Sequence, residues 1–243
     1  MRVAVVSDIH GNLHALEAVL ARIDEESPDE VWCLGDLVGY GPRPNECCSA
    51  IRARAAACLV GNHDLGVLGT ESLEHFVGDA AAAARWTRSV LEPDAREYLG
   101  SLRPRSARDG VGLYHASPRD PVWEYVLSAE VAVASLATAP EALVLVGHSH
   151  VALDIGVADG IVRGGLAPDG TQLDLPPGER WLLNPGSVGQ PRDGDPRAAY
   201  LVLDLERRSA LFRRVEYPVE RTQAEIRDAG LPDALATRLG DGV

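Results

Sequence analysis

Five short polar segments constrain this chain more than any other feature. They read Asp8-Ile9-His10, Gly35-Asp36, Gly61-Asn62-His63-Asp64, His115 and Gly147-His148-Ser149-His150. Four of them follow directly on an apolar, β-like run, and five of the seven histidines belong to the set. A fold that uses this pattern must bring several strand ends to one place. In open α/β sheets, ligands bind beyond the carboxyl ends of the strands. Taken singly, each segment also has a plain structural reading: a turn, a helix cap or an ordinary loop. Together they offer enough ligand atoms for two metal ions in one cleft, a pairing suited to phosphate-ester chemistry.

The runs between these segments indicate an α/β protein. Val3 to Ser7 is continuously apolar up to its last residue, as in a strand buried on both faces. Leu13, Leu16, Leu20 and Ile23 follow at helical spacing, and Ser27-Pro28 ends that helix. Val31 to Leu34 is the next strand. A Gly/Pro-rich loop, Gly39 to Pro44, leads into a helix ending near Arg54, and Ala57 to Val60 is a third strand. This alternation implies right-handed crossovers and a parallel region of sheet. Glu71 to Leu102 reads as helical with a break at Pro93. Further strands are expected at Val111–Tyr114, Leu143–Val146, Val151–Val157, Ile161-Val162, Trp181–Leu183, Ala199–Leu205 and Ala210–Val215. Asp159-Gly160 marks a hairpin turn. Ala167 to Glu179 reads as a loop, and a polar helix from Val219 to Ala229 precedes a short tail. No repeat or low-complexity linker divides the chain, so residues 1–243 are expected to form one domain.

The 243 residues, 46% of them hydrophobic, suffice for one sizeable core. No run of about 18 apolar residues suggests a membrane helix, and the N-terminus lacks the layout of a secretion signal. A cytoplasmic location is therefore expected. It is consistent with four cysteines without CxxC spacing, which argues against a zinc ribbon or redox motif. The net charge of -13, with arginine as the sole strongly basic residue type, disfavours nucleic acid and anionic membranes as partners. Oligomeric state is not readable.

At the ligand segments, residues two apart in an extended chain point the same way. Asp8 with His10, and His148 with His150, are each expected to face one ion. Asp36 has a carboxylate that can bridge two ions, and Asn62 offers a neutral oxygen. Mixed Asp, His and Asn donors suit manganese, iron, zinc or nickel better than calcium.

In this order the segments give D-x-H, G-D, G-N-H-D, a lone H and G-H-x-H, and the chain resembles the calcineurin-like metallophosphoesterase superfamily. The resemblance spans Asp8 to His150, and Asn184-Pro185-Gly186-Ser187 is similar to a loop of its compact bacterial phosphodiesterases. It implies a four-layer αββα sandwich of two mixed β-sheets flanked by helices. It also implies two divalent ions, manganese first, with iron, zinc or nickel as alternatives. One would be held by Asp8, His10, Asp36 and His150, the other by Asp36, Asn62, His115 and His148. The implied reaction is hydrolysis of a small phosphoester, diesters favoured, by in-line attack of a hydroxide bridging the ions. His63 would protonate the leaving group and Asp64 would orient His63. A phosphomonoesterase with the same site, or a non-catalytic metal-binding scaffold, is the alternative. After Gly35-Asp36 the chain reads Leu-Val-Gly-Tyr-Gly-Pro, where protein phosphatases and diadenosine-polyphosphate-cleaving relatives carry G-D-x-x-D-R-G. That departure argues against those branches.

Asn12 is a further candidate for touching substrate, or else a helix N-cap. Tyr40, Arg43 and Trp123 are candidates for the cleft mouth, and Gln190 and Arg192 for approaching a phosphate. His14 and His75 read as surface or packing histidines.

Overall fold

A computed structural model describes residues Met1–Val243. The first strand, β1 (Arg2–Val6), shows how the layers arise. Successive side chains of a strand alternate faces. Val3 and Val5 enter one hydrophobic cluster with Leu113, Leu145, Leu183 and Leu201, whereas Ala4 and Val6 enter another with Leu16, Val19 and Ile23 of the first helix. A strand that is apolar on both sides therefore needs a sheet on one face and helices on the other.

The remaining strands are β2 (Glu30–Cys33), β3 (Ala57–Cys58), β4 (Arg105–Arg108), β5 (Val111–Tyr114), β6 (Leu143–Leu145), β7 (Ala152–Ala158), β8 (Ile161–Leu166), β9 (Gln172–Asp174), β10 (Arg180–Pro185), β11 (Ala198–Asp204) and β12 (Ser209–Val215). They form two six-stranded sheets, ordered β3-β2-β1-β11-β12-β9 and β4-β5-β6-β10-β7-β8. Both are mixed. In the first, β1, β2 and β3 are mutually parallel, and β11, β12 and β9 continue it antiparallel. In the second, β5, β6 and β10 are parallel, and β4, β7 and β8 complete it antiparallel. Helices α1 (Leu13–Glu26) and α2 (Pro44–Arg54) cover the outer face of the first sheet through Leu16, Val19, Cys47 and Ile51. Helix α6 (Ala129–Thr138) covers the second through Ala132 and Leu136. The four-layer αββα arrangement is thus as expected. No helix is long and apolar enough to cross a membrane.

The remaining helices are α3 (Asn62–Leu68), a 3₁₀ turn (Leu73–His75), α4 (Gly78–Val90), α5 (Pro93–Ser101), α7 (Val219–Asp228) and α8 (Asp233–Asp241). Val67, Ala84, Ala95 and Leu99 of α3, α4 and α5 join the cluster of α1 and α2, while α7 and α8 pack together. The break at Pro93 starts α5, where a missing N–H is tolerated. Asp159 and Gly160 both have positive φ, 50° and 76°, as a two-residue hairpin turn between β7 and β8 requires.

Four elements differ from the sequence expectation. β4 and β9 are short edge strands with sequences Arg-Ser-Ala-Arg and Gln-Leu-Asp. Each is decided by the strand it pairs with, so neither needs an apolar period of its own. β9 lies inside the stretch read as loop. α6 and α8 are not placed by the sequence reading. The Val131-Ala132-Val133-Ala134 alternation within α6 has no clear helical period, and Ser128 fixes the helix start by accepting from the Val131 N–H. α8 has only Leu235, Ala236 and Leu239 to bury, and they pack on Ile226 and Ala83 from other helices.

Candidate metal centre

All the ligand segments leave carboxyl ends of the two parallel blocks. β1, β2 and β3 lead to Asp8, Asp36 and Asn62; β5 and β6 lead to His115 and to His148 with His150. The crevice between the sheets therefore receives loops from both.

Main-chain hydrogen bonds lock these loops together. The N–H groups of Asp8, Ile9, His10 and Gly11 donate to the carbonyls of Gly35, Asp36, Asp36 and Leu37 at 2.8–3.0 Å. Gly147 N–H donates to the His115 carbonyl at 2.8 Å, and His148 N–H to the Asp8 carboxylate at 3.0 Å. The Ser187 hydroxyl donates to the Asp8 carbonyl at 2.7 Å, and the Asn184 amide to the Gly147 carbonyl at 2.8 Å. The Asn184–Ser187 segment thus clamps the first and last ligand loops to each other. Two glycines are required by close approach. A Cβ on Gly61 would lie 2.0 Å from Asp36 Oδ1, and one on Gly147 would lie 2.1 Å from Ser7 Oγ.

The backbone of the ligands departs from the extended form. Asp8, His10, Asp36, His148 and His150 all have φ between 52° and 64°. Left-handed non-glycine residues are uncommon and cost of order 1–3 kcal/mol each when the surroundings hold them there. Asp8 and His10 enter the same ligand group, whereas His148 and His150 enter different ones instead of facing one ion, and neither pair is aimed by the alternation of an extended chain. Consecutive tight turns aim them inward.

The ligand atoms converge in two overlapping groups. In each of Asp8, His10, Asp36, His150 and Asp36, His115, His148, one ligand atom per residue lies within 4.8 Å of every other. Asp36 belongs to both. Its Oδ1 accepts from the His63 N–H at 2.9 Å, while its buried Oδ2 has no hydrogen-bond partner. Nε2 of His10 and of His115 lie 3.5 and 3.6 Å from that free oxygen. Asn62 Oδ1 is 3.2 Å from His115 Nε2, beside the second group.

The histidine tautomers are set by main-chain carbonyls. Nδ1–H of His10, His115 and His150 donates to Val38, Leu34 and Gln190 at 3.1, 2.9 and 2.6 Å. Each Nε2 is left with a lone pair facing inward, and those of His10 and His150 are 3.0 Å apart. His148 is reversed: its Nε2–H donates to the Trp123 carbonyl at 3.2 Å, which leaves Nδ1 for the site. A ligating histidine usually donates its other N–H in this way. Two lone pairs 3.0 Å apart and an orphaned carboxylate oxygen fit a cation between them and little else.

Charge supports that fit. Burial pushes the Asp8 carboxyl up to about 7, and burial with the neighbouring Asp64 carboxylate raises Asp36 well above its ordinary range. Burial lowers His10, His63, His148 and His150 well below the usual imidazole range. Buried carboxylates beside neutral imidazoles are short of positive charge, which divalent ions supply.

His63 sits at the edge of this cluster, its ring centroid 4.8 Å from that of His10, 4.4 Å from Tyr40 and 4.9 Å from Phe76. The expected role of Asp64 is not what the structure shows. Its carboxylate accepts from the main-chain N–H groups of Val38 and Gly61 at 3.0 and 2.9 Å, while His63 Nδ1 is buried without a partner. Asp64 therefore fixes the Asp36 and Asn62 loops rather than the imidazole. Gly39 stands where the G-D-x-x-D-R-G pattern has its second Asp, and a Cβ there would lie 2.7 Å from His63 Nδ1. No carboxylate at that position orients the ring. Burial raises Asp64 to about 6.

A cleft of about 330 Å³ opens beside His63 and Asn62. Tyr40, Trp123 and Arg192 line it as the sequence reading named them. Arg43 does not: it faces away and pairs with Glu225 at 2.9 Å and Glu46 at 3.3 Å. Asn12 is buried as the N-cap of α1. Its Oδ1 accepts from Ala15 N–H and the Thr222 hydroxyl, and its amide donates to the Gly189 carbonyl. With both amide ends engaged by protein, no substrate contact is assigned to it. Gln190 is buried, and its Oε1 accepts from Arg192 at 2.8 Å. His14 meets Glu225 at 3.2 Å and the exposed His75 packs on Trp123. The sequence reading missed Phe76, Tyr125 and Arg238. Tyr125 stacks on His148 with centroids 4.0 Å apart, a contact without a local motif.

Paired mixed sheets with an Asp/His cluster at their strand ends define a metallophosphoesterase architecture. The chain belongs to the calcineurin-like phosphoesterase superfamily, whose domain model matches residues 1–208. It is 38% identical over 244 aligned residues to an uncharacterized protein of Methanocaldococcus jannaschii, covering 98% of this chain and 96% of that one. A crystal structure of a metallophosphoesterase from Sphaerobacter thermophilus superposes with a TM-score of 0.89 at 42% identity, over 100% of this chain and 99% of that one. A symmetrical bis(5'-nucleosyl)-tetraphosphatase of Psychromonas ingrahamii is 35% identical over 106 residues, which is 42% of this chain and 37% of that protein's length.

Proposed function

We propose that the protein is a two-metal phosphoester hydrolase that favours small phosphodiesters over monoesters. The observation that carries this reading is the sharing of Asp36 between two ligand groups beside an open cleft. Asp8, His10, Asp36 and His150 hold one divalent ion, and Asp36, Asn62, His115 and His148 hold the other; manganese suits this mixed donor set. When bound, two such ions supply Lewis acidity toward the phosphoryl group and lower the pKa of an attacking water.

The chain's own groups do the rest. The main-chain carbonyls behind His10, His115 and His150 keep each ligating nitrogen unprotonated. Asn62, at the start of α3, faces both the cluster and the cleft and orients the phosphoryl oxygens. His63 is the proton donor to the departing alkoxide. Burial, with the nearby Arg192 charge, keeps it neutral, and an anionic phosphoryl group against the ring favours its protonated form. Diesters are favoured because the cleft exceeds the needs of one phosphate and has Phe76, Trp123 and Tyr125 in its lining to receive a second organic group. The partial likeness to a bis(5'-nucleosyl)-tetraphosphatase supports the phosphoester class, though that match covers less than half of either chain.

The test is turnover of bis-p-nitrophenyl phosphate and p-nitrophenyl phosphate by protein stripped with chelator and reloaded with Mn²⁺. Metal-dependent turnover, faster on the diester, is the expected result. No turnover of either ester at two bound metals per chain overturns the hydrolase reading. Faster turnover of the monoester overturns the preference alone.

A further inference from the structure

Two cations in the cleft are left over once the metal cluster and His63 are accounted for. Arg192 follows β10 and Arg238 lies on α8, yet they meet at one ring: their Cζ atoms are 5.8 and 6.0 Å from the Tyr40 centroid. Tyr40 in turn lies 4.4 Å from His63 and 4.6 Å from His10, ring to ring. The pair is therefore one side chain away from the proposed reaction centre.

Neither guanidinium forms an ion pair with an Asp or Glu side chain. Arg192 donates through one terminal nitrogen to the Tyr40 hydroxyl at 3.2 Å and to Gln190 Oε1 at 2.8 Å, and its buried Nε is unpartnered. Arg238 donates through Nε to a main-chain oxygen of Val243, the last residue of the sequence, at 2.6 Å, and its two terminal nitrogens have no protein partner. The one carboxylate lining the cleft, Asp79, forms no ion pair with either arginine. In a chain of net charge -13, with 36 Asp and Glu residues, two half-buried guanidiniums held near one ring pair with none of those side chains. Burial first and the charge of Arg192 second pull Arg238 below its ordinary range, against smaller opposing effects of Tyr40 and Asp79, so the two guanidiniums repel each other. Guanidiniums present forked donors that match phosphate oxygens in pairs.

We infer that this part of the cleft binds a second phosphate of the substrate, beyond the one that reacts, and that Arg192 and Arg238 are the specificity-determining residues that hold it. This rests on the phosphoester reading above and narrows it to substrates with at least two phosphates. Phe76, Trp123 and Tyr125, in the same lining, leave an aromatic wall for whatever group that phosphate carries.

Calorimetric binding of inorganic pyrophosphate and orthophosphate to the full chain reloaded with Mn²⁺, at equal free Mn²⁺, tests the subsite by binding rather than by turnover. Wild type is expected to bind pyrophosphate at least tenfold more tightly than orthophosphate. Arg192→Gln and Arg238→Gln are each expected to lose about tenfold in pyrophosphate affinity, and Arg238→Lys to recover part of it. The two arginines lie on different elements, so a folding defect in one variant leaves the other readable. If the arginines serve only to pack on Tyr40, the glutamine variants shift the melting temperature but keep the wild-type preference for pyrophosphate. That outcome, or equal wild-type affinity for the two anions, overturns the inference. Turnover of bis-p-nitrophenyl phosphate separates the two readings. Arginine-dependent pyrophosphate binding without turnover fails the hydrolase reading, and turnover without arginine-dependent binding fails the second-phosphate subsite alone.

Discussion

The metal cluster and the cleft beside it share His63 and Asn62 but are built in opposite ways. In the cluster, four histidines each give one ring N–H to a main-chain carbonyl, and five of the ligands sit on backbone turned to positive φ. In the cleft, Trp123, Arg192 and Arg238 are half-buried, Tyr125 is exposed, and they come from loops and a late helix. The cluster is fixed by backbone geometry and tolerates little. The cleft is fixed by side-chain contacts. On the function proposed above, reaction chemistry would reside in the first and choice of substrate in the second.

The strongest way to break this comparison is at the shared carboxylate. Asp36→Asn keeps the shape but removes the bridging charge. Turnover is expected to fall on the order of 10³-fold, since metal charge stabilisation is worth several kcal/mol. Elemental analysis should show less than two metals per chain. Full metal content with full turnover would remove Asp36 from the centre.

At the border between the regions, His63→Ala is expected to retain both metals. It should lose about 10²-fold or more on alkyl esters, in line with general acid catalysis. The loss should be much smaller on p-nitrophenyl esters, whose leaving group needs less help. An equal loss on both would instead point to a positioning role.

Proton uptake sharpens the contrast at intermediate size. With Asp8 pushed up to about 7 and an unfolded value of 3.8, the native metal-free protein holds a proton on this group that the unfolded chain has released. Its contribution to stability is thus present at low pH and falls as pH rises through about 7. The four lowered histidines act oppositely, adding stability as pH rises through their ordinary value of 6.5. Relative to an Asp8→Asn variant, the metal-free wild type should therefore lose stability as pH rises from about 5 to about 7, measured by thermal unfolding. Mn²⁺ added near pH 6 should release more protons than at pH 8, measurable in weak buffer. Equal release at both would place the ligand carboxyls in their ordinary range.

The smallest effect is expected outside the cleft. Arg43→Ala removes solvent-exposed ion pairs to Glu225 and Glu46. It should cost less than about 1 kcal/mol by thermal unfolding and leave turnover unchanged. A marked rise in KM would return Arg43 to the cleft mouth.

Much of the framework was legible because burial on both faces leaves a strong local mark. The continuous apolar run at Val3–Val6, the Leu13–Ile23 spacing and the Asp159-Gly160 turn identify their elements directly. β4, β9 and α8 were not legible. An edge strand or a short covering helix is decided by its neighbour, not by its own period. Asp64 shows the same limit within the site. The family resemblance implies that it orients His63, but side chains adjacent on a helix point in different directions, and its oxygens reach main-chain amides instead.

By itself the sequence determined the donor set. Carboxylate, imidazole and amide at the ends of β1, β2, β3, β5 and β6 are chemical identities that folding cannot change. Tertiary structure alone decided which nitrogen of each histidine faces inward, that Arg43 turns away, and that Arg192 and Arg238 meet over Tyr40. Those outcomes depend on contacts between residues up to 198 positions apart in the chain, and such contacts leave no local period or motif to be read.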